Sequence, residues 1–85
     1  MEKELNQLKK IQEKLALKKD AIELKIEARE NAFEDKSEKW QESEKGIEHQ
    51  EKTQALQDFF DELDAELMAL DDVINNLEEL AEREV

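Results

Sequence analysis

The side chains of this sequence that could do chemistry are carboxylates, one imidazole and one indole. Asp58, Asp61, Glu62 and Glu66 fall close together, and carboxylates at helical spacing can hold a pair of metal ions. Such sites take a Glu-x-x-His pair from each of two helices. His49 is the single histidine and Gly46 stands three residues before it, so that ligand set cannot be assembled. The Asp71-Asp72 run lacks the glycine and loop residues of a calcium loop. General acid–base work needs a carboxylate or imidazole in a desolvated cleft. Here the carboxylates sit on polar helix faces, and His49 sits beside an expected turn. The absence of Cys excludes a thiolate nucleophile and thiolate zinc ligands, and a single Gly excludes a glycine-rich phosphate loop. The expectation is no enzyme, no metal and no cofactor.

What remains is recognition by a surface. The 85 residues carry 13 Lys and Arg against 25 Asp and Glu, a net charge of −12. The excess is uneven. Residues 1–30 hold eight basic and seven acidic side chains, whereas residues 58–84 hold one basic and eleven acidic. Pairing across an antiparallel hairpin accounts for part of this, with Lys10 and Lys14 opposite the stretch from Asp72 to Glu79. Eleven carboxylates against one Arg exceed what solubility requires. The outer face of the second helix, centred on Asp61, Asp64, Asp71, Asp72 and Glu78, is therefore the candidate partner-binding surface. Trp40 is the other candidate, since Trp anchors many interfaces, although its heptad phase also suits a core plug at the turn.

The elements that must position these groups are long helices. Ala, Glu, Lys, Leu and Gln dominate, with no Pro to interrupt them. Leu5, Ile26, Phe33, Trp40 and Ile47 share one heptad series, interrupted by Gln12 and Lys19. Leu8, Leu15 and Ile22 form its partner series, which turns polar at Arg29, Lys36 and Ser43. Later, Leu56, Leu63, Leu70 and Leu77 alternate with Phe60, Leu67, Ile74 and Ala81, and Phe59, Val73 and Leu80 widen the stripe. The two registers disagree across residues 43–47, where Gly46 could take the left-handed conformation that ends a helix. This favours a hairpin over one continuous helix. The predicted fold is all-α and a single domain over 1–85. Helix one covers about 3–44, the turn about 45–49 and helix two about 50–83. That fold-back places Leu15 opposite Ile74, Ile22 opposite Leu67 and Ile26 opposite Leu63. Arg29 then falls opposite Phe60 and within reach of Asp61 or Glu62.

A second apolar stripe, Leu17, Ala21, Leu24 and Ala28, lies off the seam of helix one. One hairpin cannot cover both stripes, so the chain is expected to form a homodimer, an elongated four-helix bundle. So short a chain also has little core of its own. The start of the sequence lacks the apolar stretch of a signal peptide, and no run approaches a membrane span. The expected location is the cytoplasm, with no membrane partner. Acidity argues against direct nucleic-acid binding.

The architecture resembles the RNA-binding hairpin dimers of plasmid copy control, but those present a basic face. It also resembles secreted helical hairpins carrying Trp-x-Gly in the turn, whereas Trp40 is followed here by Gln41 and Glu42. Neither fold analogy carries function across. Three readings follow. The first is a non-catalytic protein–protein interaction module or small regulator acting through an acidic helical face on a partner with a basic surface. The second is an acidic DNA mimic, of the kind phages and plasmids encode, that inhibits a nucleic-acid-binding protein. The third is a structural coiled-coil or scaffold piece.

Overall fold

The computed structural model describes residues 1–83. They form an all-α antiparallel hairpin, 66 × 15 × 13 Å, with helix α1 over Glu2–Glu34, a short α2 over Glu38–Glu42 and α3 over Glu44–Arg83. The two long helices pack along their length through a seam whose spacing alternates three and four residues. On α1 the covered residues include Leu5, Leu8, Gln12, Leu15, Lys19, Ile22, Ile26, Arg29 and Phe33. On α3 they include Gly46, His49, Thr53, Leu56, Phe60, Leu63, Leu67, Leu70 and Ile74. Among the described residues only Ile26 and Ile74, at 5% and 3% exposure, are buried apolar side chains.

The reversal differs from the sequence expectation. Helix one ends at Glu34 rather than near residue 44, and α3 begins at Glu44, within the segment assigned to the end of helix one and the turn. Two serines cause this. Ser37 is extended and its side chain accepts a hydrogen bond from the Trp40 amide at 3.2 Å, capping α2. Ser43 is extended in the same way, and its hydroxyl oxygen accepts from the Gly46 amide at 3.3 Å, capping α3. A Ser oxygen that takes up a free first-turn amide stabilises a helix start, so Ser37 opens α2, and Ser43 ends α2 and opens α3. The freed carbonyls are covered as well. Gln41 Nε2 donates to the carbonyls of Phe33 and Lys36, both at 3.0 Å.

Gly46 does not end a helix. It lies in the first turn of α3, its φ is not positive, and it is buried. A Cβ at this position would overlap the carbonyl oxygens of Trp40 and Gln41. Gly46 is thus the point where the backbone of α2 presses onto α3, and the missing side chain provides close approach rather than backbone freedom.

The earlier reversal displaces the pairing by about one heptad. Arg29 meets Thr53 rather than Phe60, with Nε donating to Oγ1 at 3.0 Å. Gln12 Nε2 donates to Asp71 Oδ1 at 3.0 Å, and Lys19 Nζ pairs with Asp64 Oδ1 at 2.5 Å. A whole-heptad displacement keeps seam residues on the seam, so apolar side chains still meet apolar ones. Ile47 is the exception: it was placed on the seam, yet Gly46 takes that position and Ile47 stays 50% exposed.

Ile74→Ala is expected to cost about 2–4 kcal/mol in urea unfolding, the usual range for truncating a buried Ile. Gly46→Ala is expected to unseat α2 from α3. Amide exchange should accelerate over residues 36–50 and the melting temperature should fall; an unchanged exchange profile would remove Gly46 from the packing of the reversal.

Candidate protein-binding surface

At the closed end of the hairpin, α1, α2 and α3 each contribute one ring. Phe33 and His49 stack with centroids 5.9 Å apart and an interplanar angle of 24°. Trp40 meets both edge-on, 6.0 Å from Phe33 and 5.9 Å from His49. Lys36 Nζ lies 5.4 Å from the centre of the Trp40 ring. Beneath the rings, Arg29 Nη2 donates to the His49 carbonyl at 3.1 Å, and the Thr53 hydroxyl donates to the same carbonyl at 3.0 Å. Trp40 is half-buried in this cluster, held by its capping serines. It covers the end of the seam rather than projecting from the tip.

His49 Nδ1 is buried without a hydrogen-bond partner. Burial holds the imidazole pKa below its ordinary value, and the charges of Arg29, Lys36 and Lys52 push it the same way. An open cleft of about 730 Å³ runs along this end, lined in part by Arg29, Phe33, Ile47, His49 and Gln57. His49 itself packs against the Phe33 and Trp40 rings on an Arg-anchored backbone, which suits a neutral packed imidazole better than a proton-transfer group.

The acidic residues of α3 do not share one role. Asp64 pairs with Lys19, Asp71 accepts from Gln12 and Glu78 pairs with Lys9. These three are spaced seven residues apart and line one flank of the hairpin, where they fasten α3 to α1. The hydrogen bond from Lys19 to Asp64 holds the Lys19 pKa above its ordinary value, and Lys19 Nζ also lies 5.4 Å from the centre of the Phe60 ring. Asp61 and Asp72 point outward; Asp61 accepts from Gln57 on its own helix at 3.1 Å. The outward acidic face therefore runs through Asp58, Asp61, Asp72 and Glu79, all exposed. Among the described residues no group of three or more His, Asp or Glu side chains is placed to hold a metal ion, and no helix is long and apolar enough to cross a membrane.

Beside these acids the surface is unusually apolar. Phe59 is 60% exposed, Met68 65%, Val73 49% and Leu80 52% on α3, and Leu17 and Leu24 are 69% and 67% exposed on α1. Sequence reasoning assigned Phe59, Val73 and Leu80 to a widened core stripe. Each directly precedes a seam residue, which turns it onto the flank away from the Lys9, Gln12 and Lys19 contacts. No protein-family model matches this sequence, and no curated protein or solved structure matches it significantly.

The depressed His49 pKa sets a sign for pH dependence. As pH falls through about 6.5, the unfolded chain takes up a proton before the folded one does. The stabilising contribution of neutral His49 is therefore present above that pH and is lost below it. Melting temperature is expected to fall between pH 7.5 and pH 5.5, and His49→Phe should remove most of that slope. Equal slopes in the two proteins would show that the imidazole does not control it.

Proposed function

We propose that this chain is a non-catalytic, cytoplasmic protein–protein interaction module. It dimerises into an elongated four-helix bundle and presents the outward acidic face of α3 to a partner protein with a basic surface. One observation carries this reading: among the described residues ten large apolar side chains stand at least 37% exposed while two are buried. An exposed apolar face rimmed by charge marks a surface that is covered by another protein. A hairpin that leaves so much apolar area in water lacks the core to be stable by itself.

Within this reading the two surface chemistries divide the work. Apolar side chains on the flank supply association of the chain with itself. The acids at Asp58, Asp61, Asp72 and Glu79 supply long-range attraction to a cationic partner, which speeds encounter more than it tightens the complex. Asp64, Asp71 and Glu78 act within the hairpin, where they set its register.

Capture on the immobilised protein from nuclease-treated lysate, eluted with a salt gradient, tests the acidic face. A partner held by that face is expected to elute at moderate salt, because exposed ion pairs are screened beyond about 8 Å at physiological ionic strength. Asp61→Lys with Asp72→Lys should abolish its capture, and Trp40→Ala should leave it intact if the hairpin stays folded. A partner that ignores both salt and the Asp61/Asp72 reversal would overturn the acidic-face reading. A nucleic-acid-binding protein released at moderate salt would favour DNA mimicry.

A further inference from the structure

The two flanks of the hairpin differ in kind. One is fastened by the polar contacts of Lys9, Gln12 and Lys19 with Glu78, Asp71 and Asp64. The other is formed by the residues that directly precede the seam positions on α1 and α3, and these are exposed. On α1 these include Ile11, Lys14, Lys18, Ala21, Lys25 and Ala28, so between Lys14 and Ala28 that edge is small and basic. On α3 they include Phe59, Glu62, Glu66 and Val73, so that edge is bulky and acidic.

We propose that this flank is the interface with a second copy of the chain, packed about a twofold axis parallel to the helices so that α1 of each copy lies over α3 of the other. The proposal rests on the association reading above and names its surface and orientation. A twofold axis along the helices preserves level, so the register within one hairpin fixes the register between two. Lys19 is level with Asp64 and Gln12 with Asp71. The partner's Phe59 then falls between Ala21 and Ala28, where small side chains leave room for a ring. The partner's Glu62 falls between Lys18 and Lys25, and the partner's Glu66 falls beside Lys14 and Lys18. Phe59 thus meets small residues and both carboxylates meet ammonium groups, while Val73 falls level with the partner's Ile11, itself 50% exposed, in an apolar contact.

The competing twofold axis, perpendicular to the helices, lays α1 on α1 and α3 on α3. It stacks Lys14, Lys18 and Lys25 against their own kind, and Glu62 and Glu66 against theirs. Like charges at close range destabilise an interface and select against that orientation. Both arrangements give each helix antiparallel neighbours on two sides, so charge and side-chain size decide between them.

Sedimentation equilibrium of the full chain, with circular dichroism to confirm helix content, tests the proposal. The wild-type chain is expected to dimerise. Phe59→Glu, the pair Lys18→Glu with Lys25→Glu, and the pair Glu62→Lys with Glu66→Lys should each raise the dimer dissociation constant about tenfold or more. All four charge exchanges combined in one chain should restore dimerisation, because each new Glu on α1 then faces a new Lys on the partner's α3. A dimer indifferent to Phe59→Glu and to both charge pairs would overturn this interface while leaving self-association standing. Failure of the combined exchange to restore the dimer would overturn the orientation. A wild-type chain that stays monomeric at millimolar concentration would overturn both the interface and the dimer on which it rests.

Discussion

The chain has to reverse without a single left-handed residue, and the rest of the structure depends on how it does so. Among the described residues no φ is positive, in Gly or elsewhere. The reversal is built instead from three right-handed helical segments joined at two extended serines, Ser37 and Ser43. Each serine hydroxyl occupies the amide that would otherwise continue the preceding run. Gln41 covers the carbonyls left open at the end of α1, and Gly46 lets the two backbones touch. The length of this device sets where α3 begins, and that sets which residue meets which along the whole 66 Å length of the hairpin.

Register in a long hairpin is otherwise poorly specified, because an apolar seam with a seven-residue repeat accepts any whole-heptad displacement. The polar residues on the seam remove that freedom. Arg29 reaches both Thr53 and the His49 carbonyl, Lys19 reaches Asp64, and Gln12 reaches Asp71. In the neighbouring register, Arg29 would face the Phe60 ring and lose the Thr53 hydroxyl and the His49 carbonyl, and Lys19 and Gln12 would lose Asp64 and Asp71. A charged group left without acceptors costs more than its contacts gain when they are made. These residues therefore contribute more to the uniqueness of the fold than to its depth, which the two buried isoleucines limit.

This explains which features were legible in the sequence. Periodicity read the helical class, the seam and the exposed Leu17/Leu24 stripe, because each depends only on spacing along one helix. The disagreement of the two registers across residues 43–47 correctly signalled a break. Its position does not follow from Gly46, which sits inside the first turn of a helix; the signals for it are Ser37-Glu38 and Ser43-Glu44, each a capping serine before an acidic first turn. The displacement then propagated: Arg29 was assigned to Asp61 or Glu62, and Ile47 to the seam. The acids of α3 were read as one face because charge alone does not distinguish a carboxylate beside the seam from one opposite it. Asp64, Asp71 and Glu78 each directly follow a seam leucine, and that offset was the available signal.

The same offset gives the molecule two unlike flanks. Residues that follow the seam on α3 include Asp64, Asp71 and Glu78, which meet Lys or Gln of α1 and fasten that flank within one chain. Residues that precede the seam include Phe59, Val73 and Leu80, and on α1 they include Lys18, Lys25 and two alanines, so that flank is left in water. The composition of each helix by itself does not require this; a helix that placed its acids evenly would fasten both flanks equally. Covering the open flank with a second copy would leave Asp58, Asp61 and Asp72 outside, on the side of α3 turned away from both α1 and the twofold axis. Self-association would then cover Phe59 and Val73 without consuming the acidic face, and would leave Leu17, Leu24 and Met68 exposed. A bundle of two chains would display two such faces on opposite sides, and a partner able to engage both would gain by effective concentration rather than by any new contact.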